Sequence, residues 1–477
     1  MASIFSFIPA FFSNNLSAAF CAMSDIIKSS VVLLRSIIPV FLNISSAFKL
    51  YSAASISFVK IPSGKKTDIL LIIIVFIFFL RYKNSTLVVS LFFDYTMILG
   101  VLKNYKTIYN TFHEVGKAFP VKDMVEQDKN NFFDRSLWNH FSKHGLHGLM
   151  ADESYGGKGF TALKTAVAYE ALSYGCENNG IIFSSIAQLL GCVAPLSFYG
   201  NEEQKSKFLK KMATGQWIAA NAITEFNSGS DVYNMSSVAV KKDGVYIING
   251  EKRYITNSPI CDVLVVYALT DKSKGFFGGV SCFIVKSDSK DIKISKTKDK
   301  MGLRTAQMGD IKFNNFEIDE ENMIGKPGSG GQIFNTSMIW ERVVVSAFLV
   351  GQLDRMLDKT VLFTKKRKLN NKNLFEFQNI QHKIADIKTI LNAGKNLVYD
   401  AAYSIDTKPK NALTRASIAK LFVSEHCVNA IKQLQEIYGA YGYLIDSGIE
   451  REYRDSFASL LYSGTSAIQR NIISADV

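Results

Sequence analysis

Histidine supplies the one cluster of side chains in this chain whose spacing suggests a metal site. His140, His144 and His147 follow one another within eight residues. Such a run could hold a metal ion. No carboxylate or cysteine stands at ligand spacing within the segment, and turn glycines follow it, so we predict a helix end and no metal site.

The six cysteines are scattered along the chain and form no C-x-x-C pair. Neither a disulfide framework nor a zinc site is indicated. A reducing compartment suits this pattern, and the sequence therefore predicts a cytoplasmic protein.

The sequence contains no general phosphate-binding motif. Gly328–Gly331 lacks the third glycine of a dinucleotide-binding turn and follows Pro327, so a Rossmann site is not expected. Lys365–Lys368 forms a basic cluster that would suit a phosphate-rich partner, such as a coenzyme or a phosphopantetheine arm. A solvated helix face is the alternative interpretation of that cluster.

The net charge of the 477-residue chain is +13, and a basic protein can bind nucleic acid, a membrane surface or an acidic partner. Apart from residues 365–368 the charge is spread out, so no nucleic acid is expected as a partner. A non-catalytic basic binding protein stays open as an alternative function.

Residues 1–96 differ in composition from the rest of the chain. They contain no glutamate, and residues 69–80 are twelve uninterrupted apolar residues. That run is shorter than the roughly 18–20 residues that span a bilayer. Three interpretations remain: a membrane anchor or hairpin, a targeting segment, or upstream sequence included by an early start codon. The third is favoured because Met97 opens ordinary globular sequence, but membrane association through this extension stays possible.

The remaining chain changes its periodicity twice, which predicts a helical domain at 97–220, a β domain at 221–330 and a helical bundle at 331–477. Strands are predicted at 237–240, 244–248, 263–268, 281–285 and 310–316. Long helices are predicted at 332–365, 375–406 and 411–438, with a short helix after Gly464. Leu137, Phe141, Leu146 and Leu149 have helical spacing and are expected in the core.

Segments in order along residues 97–475 resemble the acyl-CoA dehydrogenase family of flavoproteins. They are AITEFNSGSD at 222–231, YITN at 254–257, MGLR at 301–304, Arg367 with Gln378, GAYGY at 439–443, RD at 454–455 and YSGTSAIQ at 462–469. An ordered series of this kind is far more specific than any one motif.

The resemblance implies an α+β fold with an N-terminal helical domain, a small barrel-like β domain and a C-terminal four-helix bundle, assembled as a homotetramer or dimer. It implies FAD between the β domain and the bundle, with Tyr254 against the flavin ring and Arg367 reaching the cofactor across a subunit interface. The implied cofactor contacts are Ile223, Thr224, Gly229, Ser230, Tyr254, Thr256, Arg367, Gln378, Gly439 and Thr465.

The family's reaction is the α,β-dehydrogenation of an acyl thioester: a base removes the α-proton and the β-hydrogen leaves as hydride to flavin N5. The base must be a carboxylate whose pKa is raised by desolvation, because the α-proton is only weakly acidic. Most members carry it in the tail, at the position of Ser463. A branch resembling isovaleryl- and long-chain acyl-CoA dehydrogenases places it on a bundle helix before an arginine, which Glu341 and Arg342 match.

Glu341 is therefore the predicted base, and its alternative is an intrahelical ion pair. Apolar neighbours at 338–340 and 343–345 argue against simple exposure. The resemblance implies that the Ser463 backbone N–H and a flavin ribityl hydroxyl bind the thioester carbonyl. Arg342, Ser463 and Ser230 are the expected substrate contacts.

A closer resemblance, carried by residues 218–222, 231–235, 337–341 and 463–465, is to the branch acting on acyl groups tethered to carrier proteins, including prolyl groups. A CoA thioester is the alternative substrate. The electron acceptor, oxygen or an electron-transfer flavoprotein, stays open. Departures from the family pattern are Phe226, Asn370, Asn371, Glu436 and Ala440, and an unpaired carboxylate at Glu436 would repel the cofactor's phosphates.

Overall fold

A computed structural model describes residues 105–118, 123–407 and 411–477 of the chain. The predictions made for residues 1–96 lie outside these residues. Within the described ranges, the helices Asn179–Tyr199 and Gly330–Lys366 are long and apolar enough to cross a membrane. Of their most apolar windows 78% and 67% are buried inside the protein, as expected of core helices.

Short helices build the first part of the described chain. They are α1 (105–117), α2 (Met124–Lys129), α3 (Arg135–Lys143), α4 (Ala162–Gly175), α5 (Asn179–Gln188), α6 (Ala194–Tyr199), α7 (Glu202–Gln204) and α8 (Lys210–Ala213). A π-helical turn, Leu189–Val193, makes α5 and α6 continuous. The helices pack around one apolar core.

The four apolar residues predicted for the core of this region are all fully buried. Leu137 and Phe141 lie on α3, whose first turn is capped by Asp134. Gly145 then takes a left-handed φ of 74°, so Leu146 and Leu149 reach the core from a 3₁₀ turn instead of from the same helix. His147 is buried with them and its ring stacks on Trp138 at 3.8 Å, which gives this histidine a packing role.

An eight-stranded sheet forms the middle of the chain. Its strands are β1 (Ala219–Ala222), β2 (Val238–Lys242), β3 (Val245–Thr256), β4 (Val263–Leu269), β5 (Val280–Lys286), β6 (Ile292–Ile294), β7 (Met308–Asp319) and β8 (Met323–Ile324). The order is β6-β7-β3-β2-β4-β5-β8, with β1 parallel to β4 and a short helix α9 (Gly275–Gly279) before β5. All five predicted strands are present.

The longest strand pair changes register at the point where the predicted cofactor residues occur. β3 and β7 are antiparallel from Val245↔Asp319 to Thr256↔Met308, with irregularities after Ile248 and after Lys252. Inside the second irregularity Tyr254 takes a left-handed φ of 59°. Bulges of this kind re-aim side chains, and Tyr254 is half exposed as a result.

Long helices return after the sheet. They are α10 (Gly330–Lys366), α11 (Gln378–Thr407) and α12 (Ala412–Ile437), followed by the shorter α13 (Ile449–Phe457) and α14 (Ser466–Ser474). Their apolar faces share a second core that includes Val350, Leu391 and Val423. The helical, β, helical order confirms the predicted fold class.

A two-stranded hairpin, β9 (Lys368–Leu369) with β10 (Lys372–Asn373), follows α10 and is not among the predicted strands. Asn370 and Asn371 form its turn with φ angles of 49° and 62°. Asparagine tolerates the left-handed conformation that a two-residue hairpin turn requires. These two of the five residues that depart from the family pattern are thus well suited to this turn.

A buried ion pair ties the connection after β1 to β3. Lys252 Nζ lies 2.8 Å from Glu225 Oε1 and donates to the Ile223 carbonyl oxygen at 3.2 Å. Glu225 also accepts from the backbone N–H groups of Ser236 and Ser237. Burial opposes ionisation of Glu225, but the Lys252 ammonium and these hydrogen bonds lower its pKa to about 2. Residues 223–237 are thereby held against the sheet.

This ion pair predicts a thermodynamic asymmetry. Lys252→Met leaves a buried carboxylate without its cation and is expected to destabilise the protein by about 3–5 kcal/mol. The double variant Lys252→Met/Glu225→Gln removes the uncompensated charge and should recover part of that loss. Urea unfolding of both variants measures the difference, and a double variant less stable than Lys252→Met would contradict it.

The crossing of α10 and α4 predicts a second effect on stability. A Cβ at Gly351 would lie 2.2 Å from the Glu170 carbonyl oxygen, which belongs to backbone and cannot yield cheaply. Gly351→Ala should therefore cost about 1–3 kcal/mol. Gly394→Ala is the matched control, because its Cβ would meet only the side chains of Val423 at 3.4 Å and Val350 at 3.5 Å, and alanine gains helix propensity. Equal melting temperatures of the two variants would contradict the prediction.

Candidate active site

Glu341 and Ser463, which lie 122 residues apart in sequence, meet at one point in the fold. Glu341 sits on α10, and Ser463 lies in the turn that precedes α14. The Ser463 hydroxyl donates to Glu341 Oε1 at 2.5 Å. The predicted base and the residue that replaces the tail carboxylate are therefore partners, and Glu341 does not form the intrahelical ion pair that was its alternative.

The turn containing Ser463 has a strained backbone held by two side chains. Ser463 takes a left-handed φ of 55°, and Gly464 follows with 86°. Gln469 Nε2 donates to both their carbonyl oxygens, at 3.1 and 2.8 Å. Lys420 Nζ donates to the Gly464 carbonyl at 2.7 Å. Because both carbonyls are engaged, the orientation of the two peptides is fixed.

The N–H side of this turn is free. The backbone N–H of Ser463 has no hydrogen-bond partner among the residues that the structure describes. A free N–H beside a carboxylate can bind an oxygen on which negative charge develops. This is the group that the family resemblance assigned to the thioester carbonyl.

Burial and two neighbouring cations act in opposite directions on the ionisation of Glu341. Burial raises the pKa of the Glu341 carboxyl, while the Ser463 hydrogen bond, Arg342 and Lys420 act in the opposite direction. A carboxylate whose pKa is raised by desolvation is a stronger base than an exposed glutamate.

Arg342 is buried next to Glu341, and its Nε and Nη1 have no hydrogen-bond partner in the described residues. Burial lowers the pKa of its guanidinium to about 10, against the opposing effect of Glu341. A buried guanidinium without acceptors is unfavourable, so a ligand oxygen near it would be bound strongly.

Aromatic side chains line the surroundings of the Glu341–Ser463 pair. Tyr462 stacks on Phe183 with ring centroids 4.8 Å apart, and Trp340 packs against Phe198 at 5.9 Å. Burial and then Glu341 raise the pKa of the Tyr462 phenol, so this hydroxyl stays neutral. Glu341 itself is partly buried, and these rings cover part of its surroundings.

The residues predicted to hold the flavin ring lie at the end of β1 and the end of β3. The hydroxyls of Thr224 and Thr256 and of Ser230 have no hydrogen-bond partner in the described ranges. A Cβ built at Gly229 would meet nothing within 4 Å. Ile223 is buried and its carbonyl is taken by Lys252, so the Glu225–Lys252 pair fixes this loop.

These residues fit a large aromatic cofactor. Tyr254 presents a half-exposed ring, with the Lys298 ammonium 5.9 Å from its centroid, and unpartnered hydroxyls flank it. Hydroxyl donors beside an exposed aromatic ring match the polar edge and flat face of an isoalloxazine ring.

The other predicted cofactor residues lie at the ends of the C-terminal helices. Arg367 ends α10, about 39 Å along the helix axis from Glu341, and Gln378 begins α11 near it; both are exposed. Gly439 ends α12 with a left-handed φ of 59°. Thr465 caps α14 by accepting from the Ile468 N–H at 3.3 Å. Glu436 is not an unpaired carboxylate, because Lys383 lies 3.1 Å from it.

The sequence interpretation missed the residues whose side chains hold the backbone of the site in place. Gln469 stood within a quoted motif without a role, and Lys420 and Lys252 were not singled out. Lys420 lies on the buried stripe of α12 that also carries Ala416, Val423 and Cys427, so a charged residue at a core position was the available signal.

Family profiles match the three parts of the chain in order. The acyl-CoA dehydrogenase N-terminal domain matches residues 105–216, the middle domain matches residues 220–316 and the C-terminal domain matches residues 328–477. Together they cover nearly all the described residues.

Individual proteins agree with these profiles. An L-prolyl-[peptidyl-carrier protein] dehydrogenase of Serratia sp. (strain ATCC 39006) is 35% identical over 74% of this chain and 92% of its own. The crystal structure of the prolyl acyl carrier protein oxidase AnaB is 36% identical, with a TM-score of 0.76 over 78% of this chain and 98% of its own. PigA with FAD and proline is 33% identical, with the same TM-score over 78% of this chain and 97% of its own. The predictions of family and of an FAD-dependent oxidoreductase are confirmed, and the chain belongs to the acyl-CoA dehydrogenase family.

Proposed function

We propose that this protein oxidises the α,β-bond of an acyl group held as a thioester on a carrier protein, with Glu341 as the base. The observation that carries the proposal is the Glu341–Ser463 pair, a carboxylate in aromatic surroundings beside a free backbone N–H. The prolyl groups named for two similar proteins make a tethered prolyl group the first substrate to test.

Glu341 removes the α-proton. Its raised pKa makes it a stronger base than an exposed glutamate, and the Ser463 hydroxyl, donating at 2.5 Å, orients the carboxylate. FAD, when bound, supplies the acceptor at N5 for the β-hydrogen, which leaves with its electron pair. The thioester loses two electrons and two hydrogens, and the product contains an α,β double bond.

Two groups stabilise the negative charge that develops on the thioester carbonyl oxygen as the α-proton leaves. The Ser463 N–H donates to that oxygen, since Gln469 and Lys420 hold the neighbouring carbonyls away from it. The unpartnered Arg342 guanidinium adds a positive charge close to the base and binds a further substrate oxygen. Preorganised donors of this kind lower the barrier more than flexible ones.

The cofactor is held by Thr224, Gly229, Ser230, Tyr254 and Thr256. Arg367 and Gln378 contribute only to the cofactor of a second copy, because α10 separates Arg367 from Glu341 by about 39 Å. The proposed assembly is therefore a homo-oligomer in which each copy completes its neighbour's site. Oxygen or an electron-transfer flavoprotein reoxidises the flavin.

Substitution of Glu341 tests the base. Glu341→Gln keeps the shape of the side chain and should stay yellow, but flavin bleaching by the thioester under anaerobic conditions should slow by about 10²–10⁴-fold. Glu203→Gln, at an exposed position of α7, is the control and should match wild type. Bleaching of Glu341→Gln at the wild-type rate would remove Glu341 from the mechanism.

The substrate class is tested by bleaching the wild-type flavin with a prolyl group on a carrier protein and with short acyl-CoA thioesters. Faster bleaching by the carrier-bound group is expected. Preference for an acyl-CoA supports the alternative of an isovaleryl- or long-chain-type acyl-CoA dehydrogenase. If no thioester bleaches the flavin, the proposed function fails.

The Ser463 hydroxyl predicts a change in the pH profile. The base acts when deprotonated, so the reduction rate rises with pH through the pKa of Glu341. The hydrogen bond from Ser463 lowers that pKa, and Ser463→Ala should move the midpoint upward while leaving the backbone N–H in place. Ser474→Ala on α14 serves as the control. Stopped-flow reduction between about pH 5 and pH 9 measures both midpoints, and a downward or absent shift contradicts the assignment.

A further inference from the structure

Lys420 is a buried cation close to the proposed base. Its side chain is fully buried on α12, between the apolar residues Ala416 and Val423 of the same helix face. It forms no ion pair with a carboxylate in the described part of the chain, and its one hydrogen bond is to the Gly464 carbonyl at 2.7 Å. An ammonium in such a position is unfavourable for folding, and an apolar side chain would pack there at lower cost.

We propose that Lys420 is a positioning residue for the thioester oxidation: its ammonium holds the Gly464 carbonyl, so that the Ser463 N–H faces the substrate, and places a positive charge beside Glu341. The inference rests on the proposed function, because it concerns the turn that would bind the thioester carbonyl.

The geometry of the turn explains why an anchor is needed. Ser463 occupies the left-handed region, which L-residues other than glycine disfavour and which persists only where the surroundings enforce it. Gln469 reaches the turn from α14, as the fourth residue of the helix that the turn itself begins. Lys420 reaches the turn from α12. Of these two anchoring side chains, Lys420 is therefore the one that ties the turn to the long helices of the bundle.

The charged groups around Lys420 and Glu341 show which carboxylate the Lys420 ammonium acts on. Arg342 on α10 is the other cation, and Cys192, Tyr267 and Tyr462 are the neutral titratable groups near the carboxylate. Glu425 on α12 is compensated by Arg470 at 2.8 Å. Glu341 is therefore the carboxylate on which the Lys420 charge acts, and both cations favour its ionised form against burial.

Burial lowers the pKa of the Lys420 ammonium to about 8, with Arg342 acting in the same direction and Glu341 and Glu425 opposing. The side chain is still mostly protonated at neutral pH. Both effects, the hydrogen bond and the charge, are then present under ordinary conditions.

Three variants of the FAD-loaded protein separate these effects. Lys420→Met removes the donor and the charge, Lys420→Gln keeps a donor without a charge, and Lys432→Met changes an exposed lysine of the same helix as control. The readouts are flavin absorbance, the rate and pH midpoint of flavin reduction by the thioester, and hydrogen exchange of the Ile468 and Gln469 amides, which donate to Thr465 of the turn. Exchange is measured with and without FAD, so one readout does not depend on turnover.

We expect Lys420→Met to bind FAD, to exchange these amides at least tenfold faster and to reduce its flavin at least tenfold more slowly. Its pH midpoint should move upward, since a cation that favours the ionised base is lost. Lys420→Gln should regain part of the exchange protection and of the rate but keep the shifted midpoint. Lys432→Met should match wild type in every readout.

Wild-type exchange and an unchanged midpoint in Lys420→Met would overturn the inference, as would a rate loss equal in Lys432→Met. If Lys420→Met does not fold, Lys420→Gln decides: an unshifted midpoint with wild-type exchange rejects the role of Lys420. Failure of the proposed function is distinguishable, because the wild-type flavin would then resist every thioester while the exchange comparison still reports on the turn.

Discussion

A carboxylate that acts as a base towards a weakly acidic carbon must be shielded from water and must still be able to ionise. In this protein Glu341 is partly buried beside two pairs of aromatic rings, and the hydrogen bond from the Ser463 hydroxyl stabilises its charged form. The bond also joins α10 to the turn before α14 across 122 residues of sequence. It can form only if the whole helical bundle is assembled, so catalytic geometry and bundle packing depend on each other.

The two halves of the site are fixed by buried cations that donate to backbone carbonyls. Lys420 holds the Gly464 carbonyl beside the base, and Lys252 holds the Ile223 carbonyl beside the predicted flavin residues. Lys252 has the Glu225 carboxylate as a close partner, whereas Lys420 has none in the described residues. The first arrangement stabilises a loop, while the second leaves its charge available to the neighbouring Glu341.

Sequence patterns predicted the elements that carry strong periodicity and the residue that carries the chemistry. β4 and β5 are almost entirely buried and appear in the sequence as apolar runs. Glu341 was predicted because one branch of the family carries its base on a bundle helix instead of in the tail. β1 and β8 were missed because they are four and two residues long and gain their stability from pairing with β4 and β5. α13 was missed because five of its nine residues are charged and its buried surface is made by polar groups such as Glu452, which pairs with Arg355. Long-range pairing of this kind leaves no local signal.

Several polar groups of the site lack partners within the described chain, and they share one explanation. The Arg342 guanidinium and the Ser463 N–H belong to the Glu341 site, and the hydroxyls of Thr224 and Thr256 lie at the ends of β1 and β3. Leaving the buried Arg342 donors unsatisfied costs about 1–3 kcal/mol for each group, and a fold selected for stability alone would pair or remove them. Ligands that accept these hydrogen bonds recover that cost on binding. The same groups therefore destabilise the protein without ligand and stabilise it when ligand is bound. The unpartnered groups are thus explained by the ligands that they bind. The side chains that anchor the site's backbone are needed because the ligand-binding groups lack partners within the described chain.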